Sequence, residues 1–80
     1  MVSTWHEAQH ARVAEGERRL ASLPGQTQRL VRGDLRSLLR IVDAISVDTG
    51  GHALPAGQVV AREIDQLVAE IVMIADALDR

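Results

Sequence analysis

Apolar residues recur at alternating steps of four and three along the last third of the chain. The residues of this line are Val60, Ile64, Leu67, Ile71, Ile74 and Leu78. Steps of this kind place side chains on one face of a helix. A second line widens that face and consists of Ala61, Val68, Val72 and Ala75. The pattern predicts one uninterrupted helix over residues 55–78, and so broad an apolar face needs more than one neighbouring helix.

A similar line runs through the middle of the chain and consists of Val31, Leu35, Leu38, Val42 and Ile45. It predicts a second helix over residues 26–47 with the same heptad spacing. Gly33-Asp34 leaves open a break, with Asp34 as the cap of a shorter helix. A single glycine costs only about 1 kcal/mol inside a helix, so we expect one continuous helix.

The first part of the chain carries a thinner apolar line, made of Trp5, Ala8, Val13, Leu20 and Leu23. Thr4 and Glu7 have the spacing of a capping box, and Pro24-Gly25 is a stop signal. These signals predict a helix over residues 5–23. Because its apolar line is thin, we expect this helix to pack on the other two without organising them.

The stretch from Val47 to Pro55 contains Gly50-Gly51 and is the one long loop that the pattern predicts. Pro55 suits the first turn of the following helix. The double glycine lacks the Lys-Ser/Thr of a phosphate-binding loop. A connection of this length lets the second and third helices fold back as an antiparallel hairpin.

With 80 residues and no cysteine, the chain is a single domain, 1–80, near the lower size limit for one unaided core. The predicted fold is all-α, a three-helix bundle with the second and third helices as its spine. Because the third helix is apolar on more than one flank, we predict a homodimer through helices two and three. The residues expected at this interface are Val60, Ile64, Leu67, Val68, Ile71, Val72, Ala75 and Leu78.

The net charge of −2 is unevenly divided along the chain. Most of the arginines precede residue 41 and most of the acids follow it, which predicts a basic helix beside an acidic one. All nine cations are arginine, a usage typical of GC-rich bacterial genomes. The start of the chain lacks a basic region followed by an apolar one, so a cytoplasmic location is expected. No membrane span is expected, because Asp76 interrupts the apolar run Ile71–Ala75.

The segment His6-Glu7-Ala8-Gln9-His10 matches the H-E-x-x-H pattern and resembles the zinc-binding motif of the metalloproteases. That resemblance implies His6 and His10 as metal ligands and Glu7 as a general base. It covers five residues, and no third ligand follows at the spacing of that family. The alternative is that Glu7 caps the helix while both histidines face solvent.

Four arginines, Arg29, Arg32, Arg36 and Arg40, form a basic line along one flank of the second helix. Such a line is suited to the phosphates of a nucleic acid or to an acidic protein. It is equally suited to ion pairs with Glu63 and Glu70 across the bundle, or with Asp34 and Asp43 along the same helix. We expect the ion pairs, since domains that bind DNA nonspecifically are basic overall.

Two further resemblances concern the third helix. Residues 58–64 are similar to the first helix of a helix-turn-helix, but the apolar pattern continues without the turn that this motif needs. Residues 62–71 are similar to part of the long helix of the small helical chorismate mutases. That family uses a lysine in its site and this chain has none, so no catalytic residue is carried over.

The sequence thus predicts no catalytic residue and no cofactor. The leading hypothesis is a non-enzymatic interaction or oligomerisation module, such as an adaptor, a docking domain or a small regulatory subunit. Its expected partner is a second copy of the chain or a helical protein. The alternatives are a nucleic-acid-associated regulator that uses the arginine line, and a metal protein that uses His6 and His10.

Overall fold

Three α-helices make up the computed structural model, which describes residues 3–47 and 54–79. They are α1 (Thr4–Arg19), α2 (Gly25–Ala44) and α3 (Pro55–Leu78), and a 3₁₀ turn, Leu20–Ser22, follows α1. The predicted all-α three-helix fold is confirmed. Residues 48–53, most of the predicted loop with Gly50-Gly51, lie outside the described residues.

Contacts between side chains fix the directions of the helices. Arg12 and Arg19 of α1 reach Asp65 and Asp76 of α3 in ascending order, so these two helices run parallel. His6 and His10 instead reach Ile45 and Asp43 in descending order. Helix α2 is therefore antiparallel to both of the others, and the predicted α2–α3 hairpin is present.

The start of α1 differs by one residue from the prediction. Ser3 is extended, with φ −81° and ψ 164°, and its hydroxyl oxygen accepts a hydrogen bond from the backbone N–H of His6 at 3.2 Å. Glu7 donates its backbone N–H to the carbonyl of Ser3 rather than completing a box with Thr4. Serine is as good an N-cap as threonine, so Ser3 is the N-cap and α1 begins one residue earlier than predicted.

The ends of α1 and α2 also fall short of their predicted limits. Leu23 is extended, with φ −93° and ψ 155°, because a residue before proline is disfavoured in the helical region. Helix α2 runs unbroken through Gly33 but ends at Ala44 instead of Val47. Helix α3 has the predicted bounds, with Pro55 in its first turn.

The core follows a line on α3 that is rotated from the predicted one. Its buried residues are Gly57, Val60, Ile64, Val68, Ile71 and Ala75. Ile74 and Leu78, which belong to the predicted line, are 46% and 53% exposed. Both lines average 3.6 residues per turn, so periodicity alone does not choose between them.

Helix α1 covers α3 more closely than its thin apolar line predicts, and the reason is Gly16. A Cβ atom added to Gly16 would lie 3.0 Å from Cγ2 of Val68. Gly16 also fills the gap in a buried series, which is Val13, Gly16, Leu20 and Leu23. A glycine at the contact lets the two backbones approach, so α1 packs on α3 more closely than its thin apolar line led us to expect.

This close approach yields a prediction. Gly33 is also helical, but nothing lies within 4 Å of a Cβ added there. Gly33→Ala should raise the free energy of unfolding by about 0.5–1 kcal/mol through helix propensity alone. Gly16→Ala should be at least about 1 kcal/mol less stable than Gly33→Ala, because strain at Val68 opposes the same gain.

Urea denaturation followed by circular dichroism gives both free energies. Equal stabilisation by the two substitutions would show that α1 and α3 do not meet as closely as described.

Candidate interaction surface

The two histidines of the H-E-x-x-H segment join α1 to the end of α2. His6 donates Nε2–H to the carbonyl of Ile45 at 2.8 Å, while its Nδ1 lies 2.6 Å from the Ser3 hydroxyl that donates to it. His10 donates Nε2–H to Oδ1 of Asp43 at 2.7 Å. The prediction that both rings merely face solvent is wrong for His6, which is half-buried.

These contacts also bear on the metal hypothesis for His6 and His10. A metal ion bound at Nε2 of either ring would have to displace a hydrogen bond to α2. Among the described residues, no group of three or more His, Cys, Asp or Glu side chains is placed to hold a metal ion. Glu7 is exposed, and its side chain does not cap α1. The residues present therefore act as an interhelical clamp.

Opposite charges meet between α1 and α3. Arg12 donates to Oδ1 of Asp65 at 3.2 Å and to Oε2 of Glu15 at 2.9 Å, and Arg19 pairs with Asp76. The hydrogen bond to Glu15, reinforced by Asp65, raises the pKa of Arg12 above its ordinary value. Two arginines of α1 thus pair with acids of α3, but α1 has three arginines and three glutamates and is not a basic helix. The more basic helix is α2, and within the described residues it forms no ion pair with α3, so the predicted pairing of a basic helix with an acidic one stays a prediction.

Most of the residues predicted to form an interface belong to the subunit's own core. Five of the eight are at most 5% exposed, and these are Val60, Ile64, Val68, Ile71 and Ala75. Leu67 and Val72 are half-buried, and Leu78 is exposed. The predicted interaction surface is therefore wrong at the five buried positions, because α1 and α2 already cover them.

An open groove of about 370 Å³ runs between α2 and α3. Leu38 and Leu67, both half-buried, supply its apolar surface. Asp34, Glu63 and Glu70 supply three carboxylates, and Ser37 and Gln66 complete the lining. We call this feature the acidic groove. A carboxylate-rich surface of this kind favours a cationic occupant.

Large apolar side chains are exposed on the outer side of the same hairpin. Leu30 and Ile41 on α2 are 67% and 49% exposed. At about 100° per residue they lie within about 20° of each other around α2, just beyond Asp34, and about 16 Å apart along the helix. We call this pair the apolar ridge. The other large apolar side chains that are exposed in the described part of the chain are Leu54, Val59, Met73, Ile74 and Leu78.

The four arginines of the predicted basic line do not form the expected ion pairs. Within residues 3–47 and 54–79, no ion pair involves Arg29, Arg32, Arg36 or Arg40. Arg32 is half-buried, while the other three are exposed and fall within about 40° of one another around α2. We call Arg29, Arg36 and Arg40 the basic flank; nucleic-acid binding by it remains a prediction.

Comparisons of the chain with protein-family models, with curated proteins and with solved structures gave no match. Among the described helices, none is long and apolar enough to cross a membrane. The functional argument therefore rests on the surfaces that this chain itself presents.

Sequence reasoning found the basic flank and missed the other two surfaces. The acidic groove depends on which residues of α2 stand opposite Glu63 and Glu70 in the hairpin, and a linear pattern does not give that register. Leu30 and Ile41 lie off the heptad line of α2, and their separation of eleven residues, about three helical turns, was the available signal that they share one side of the helix.

The clamp at the histidines yields a prediction. His6→Ala should lower the free energy of unfolding by about 1 kcal/mol, because it removes a half-buried hydrogen bond to the end of α2. His10→Ala should cost about 0.5 kcal/mol or less, since its pair with Asp43 is solvent-exposed.

Chemical denaturation in the presence and absence of a chelator measures both effects. If the wild type is more stable than His6→Ala only when zinc is present, His6 holds a metal ion and the clamp is contradicted.

Proposed function

We propose that this chain is a non-enzymatic interaction module that self-associates through the outer face of α2. The observation that carries the proposal is the apolar ridge. Leu30 and Ile41 are large, exposed and not required by the core. They lie on the same side of α2, eleven residues and about 16 Å apart along its axis, and about 100–140° around the helix from the buried Leu35 and Val42.

The size and shape of the chain support a need for further burial. The bundle measures 45 × 19 × 19 Å and exposes 5398 Å², against roughly 4,700 Å² for a typical folded monomer of this mass. Among residues 3–47 and 54–79, ten apolar side chains form the buried core, and all of them are aliphatic. Burying a fully exposed Leu or Ile side chain stabilises an assembly by about 1.5–3 kcal/mol. In a two-fold dimer each such contact occurs twice, once for each copy.

A module of this kind serves as an adaptor, a docking domain or a small regulatory subunit. The predicted interface through helices two and three is thereby narrowed to the outer face of α2 and the neighbouring groove. The α3 residues that remain available there are Leu67 and Ile74, on the flank of α3 that faces α2.

The apolar ridge supplies the test. The wild-type chain should be a dimer at tens of micromolar by size-exclusion chromatography with light scattering. A Leu30→Ser, Ile41→Ser double variant should be a monomer at the same concentration, because it removes the apolar contact without changing the charge.

Met73→Ser is the matched control, since Met73 is 65% exposed and points away from α2. It should leave the dimer intact. A monomeric wild type at this concentration would overturn the proposal, and so would a dimer that loses as much affinity from Met73→Ser as from the double variant.

A further inference from the structure

Three surfaces follow one another around the exposed side of α2. At about 100° per residue, Asp34 on the edge of the acidic groove comes first. The apolar ridge follows within about 40°, and the basic flank begins about 80° beyond Leu30 at Arg40. The outer face of α2 therefore has carboxylates on one side of its apolar centre and guanidinium groups on the other.

Neither charged surface is satisfied within the subunit. Across the described ranges, Asp34, Glu63 and Glu70 take part in no ion pair, and neither do the arginines of the basic flank. The cations of α1 that reach α3 pair with Asp65 and Asp76, which lie on the other side of α3. Two surfaces of opposite sign thus remain on either side of the apolar ridge.

Symmetry decides how these surfaces meet when two copies pack ridge to ridge. A two-fold axis perpendicular to the helices makes the two α2 helices antiparallel and places like flanks together, acid beside acid and arginine beside arginine. A two-fold axis parallel to the helices makes them parallel and places each basic flank beside the partner's acidic groove. Like charges brought together are repulsive and opposite charges attractive.

We propose that the chain forms a parallel two-fold dimer in which the basic flank of each copy lies over the acidic groove of the other. The proposal rests on the self-association proposed above and specifies its geometry. Asp34 and Leu38 line the groove together with Glu63, Leu67 and Glu70. Because the hairpin is antiparallel, Asp34 lies toward the Glu70 end of the groove and Leu38 toward the Glu63 end. Arg36 and Arg40 of the second copy then fall at the levels between Glu70 and Glu63.

Charge reversal in two separate variants tests the pairing. An Arg36→Glu, Arg40→Glu variant and a Glu63→Arg, Glu70→Arg variant should each be monomeric, because each places like charges across both contacts. An equimolar mixture should form a heterodimer, since the reversed side chains of each variant then face opposite charges on the other. Light scattering and native mass spectrometry distinguish these species.

The matched control is Arg18→Glu, Arg62→Glu, which changes the net charge equally at two exposed arginines away from α2. It should remain a dimer. Circular dichroism checks that each variant folds. An Arg36→Gln, Arg40→Gln variant avoids placing acids near the C-terminal end of α2 and should weaken dimerisation at least about tenfold.

Salt gives an independent readout. Raising the ionic strength from about 0.05 M to about 0.5 M should weaken the wild-type dimer several-fold, because exposed opposite charges are screened. A dimer that strengthens with salt would overturn the parallel arrangement.

A single cysteine tests the orientation directly, because the chain has none of its own. Ala44 is the exposed last residue of α2 and lies on its outer face. In the parallel dimer the two copies of Ala44→Cys meet and should form a disulfide, which requires Cα atoms within about 7 Å. In an antiparallel pair they lie at opposite ends. Ala14→Cys, exposed on α1, should not cross-link.

The outcomes separate the two proposals. A wild-type dimer that fails to cross-link through Ala44→Cys, or whose charge-reversal variants still dimerise, would overturn the parallel geometry and leave self-association standing. A monomeric wild type that instead binds an RNA or DNA oligonucleotide through Arg36 and Arg40 would overturn both.

Discussion

The close contact between Gly16 and Val68 is the constraint on which the rest of the structure depends. With no side chain at Gly16, α1 settles on the centre of α3, and Val68 becomes fully buried. That position selects which of the two apolar lines of α3 faces inward. It also leaves Ile74 and Leu78 at the surface, and it brings Arg12 and Arg19 to the carboxylates of Asp65 and Asp76. The close approach at Gly16 is thus found together with the buried line through Val68 and the ion pairs that join α1 to α3.

Much of the fold was predictable because its signals are local. The bounds of α3 follow from Pro55 and an unbroken apolar pattern, and the continuity of α2 follows from the small cost of one glycine. The position of the core was not predictable in the same way. A count of large apolar residues leaves Gly16 out, although Gly16 is buried at the contact with α3. Its spacing from Val13 and Leu20, three and four residues, was the signal that identifies it as the missing member of the buried line.

The candidate sites also divide into those that a local sequence pattern predicts and those that depend on how distant residues pack. Arg29, Arg36 and Arg40 were identified from spacing alone, because a single helix places them together. The acidic groove combines residues about 30 positions apart, and the clamp joins His6 to the carbonyl of Ile45 and His10 to Asp43. A short motif that resembles a metal site therefore has a structural use that only the packed bundle reveals. Two arginines of α1 pair with acids of α3, whereas the four arginines of α2 take part in no ion pair within the described residues.

Trp5 is the only tryptophan, and the chain has no tyrosine or phenylalanine. Its indole packs against the core near the start of α1, with its ring centroid 5.0 Å from that of His6. Intrinsic fluorescence from this protein therefore originates at a single place, where the first turns of α1 dock. Emission and helical ellipticity will report different events whenever that end of α1 detaches before the α2–α3 hairpin melts.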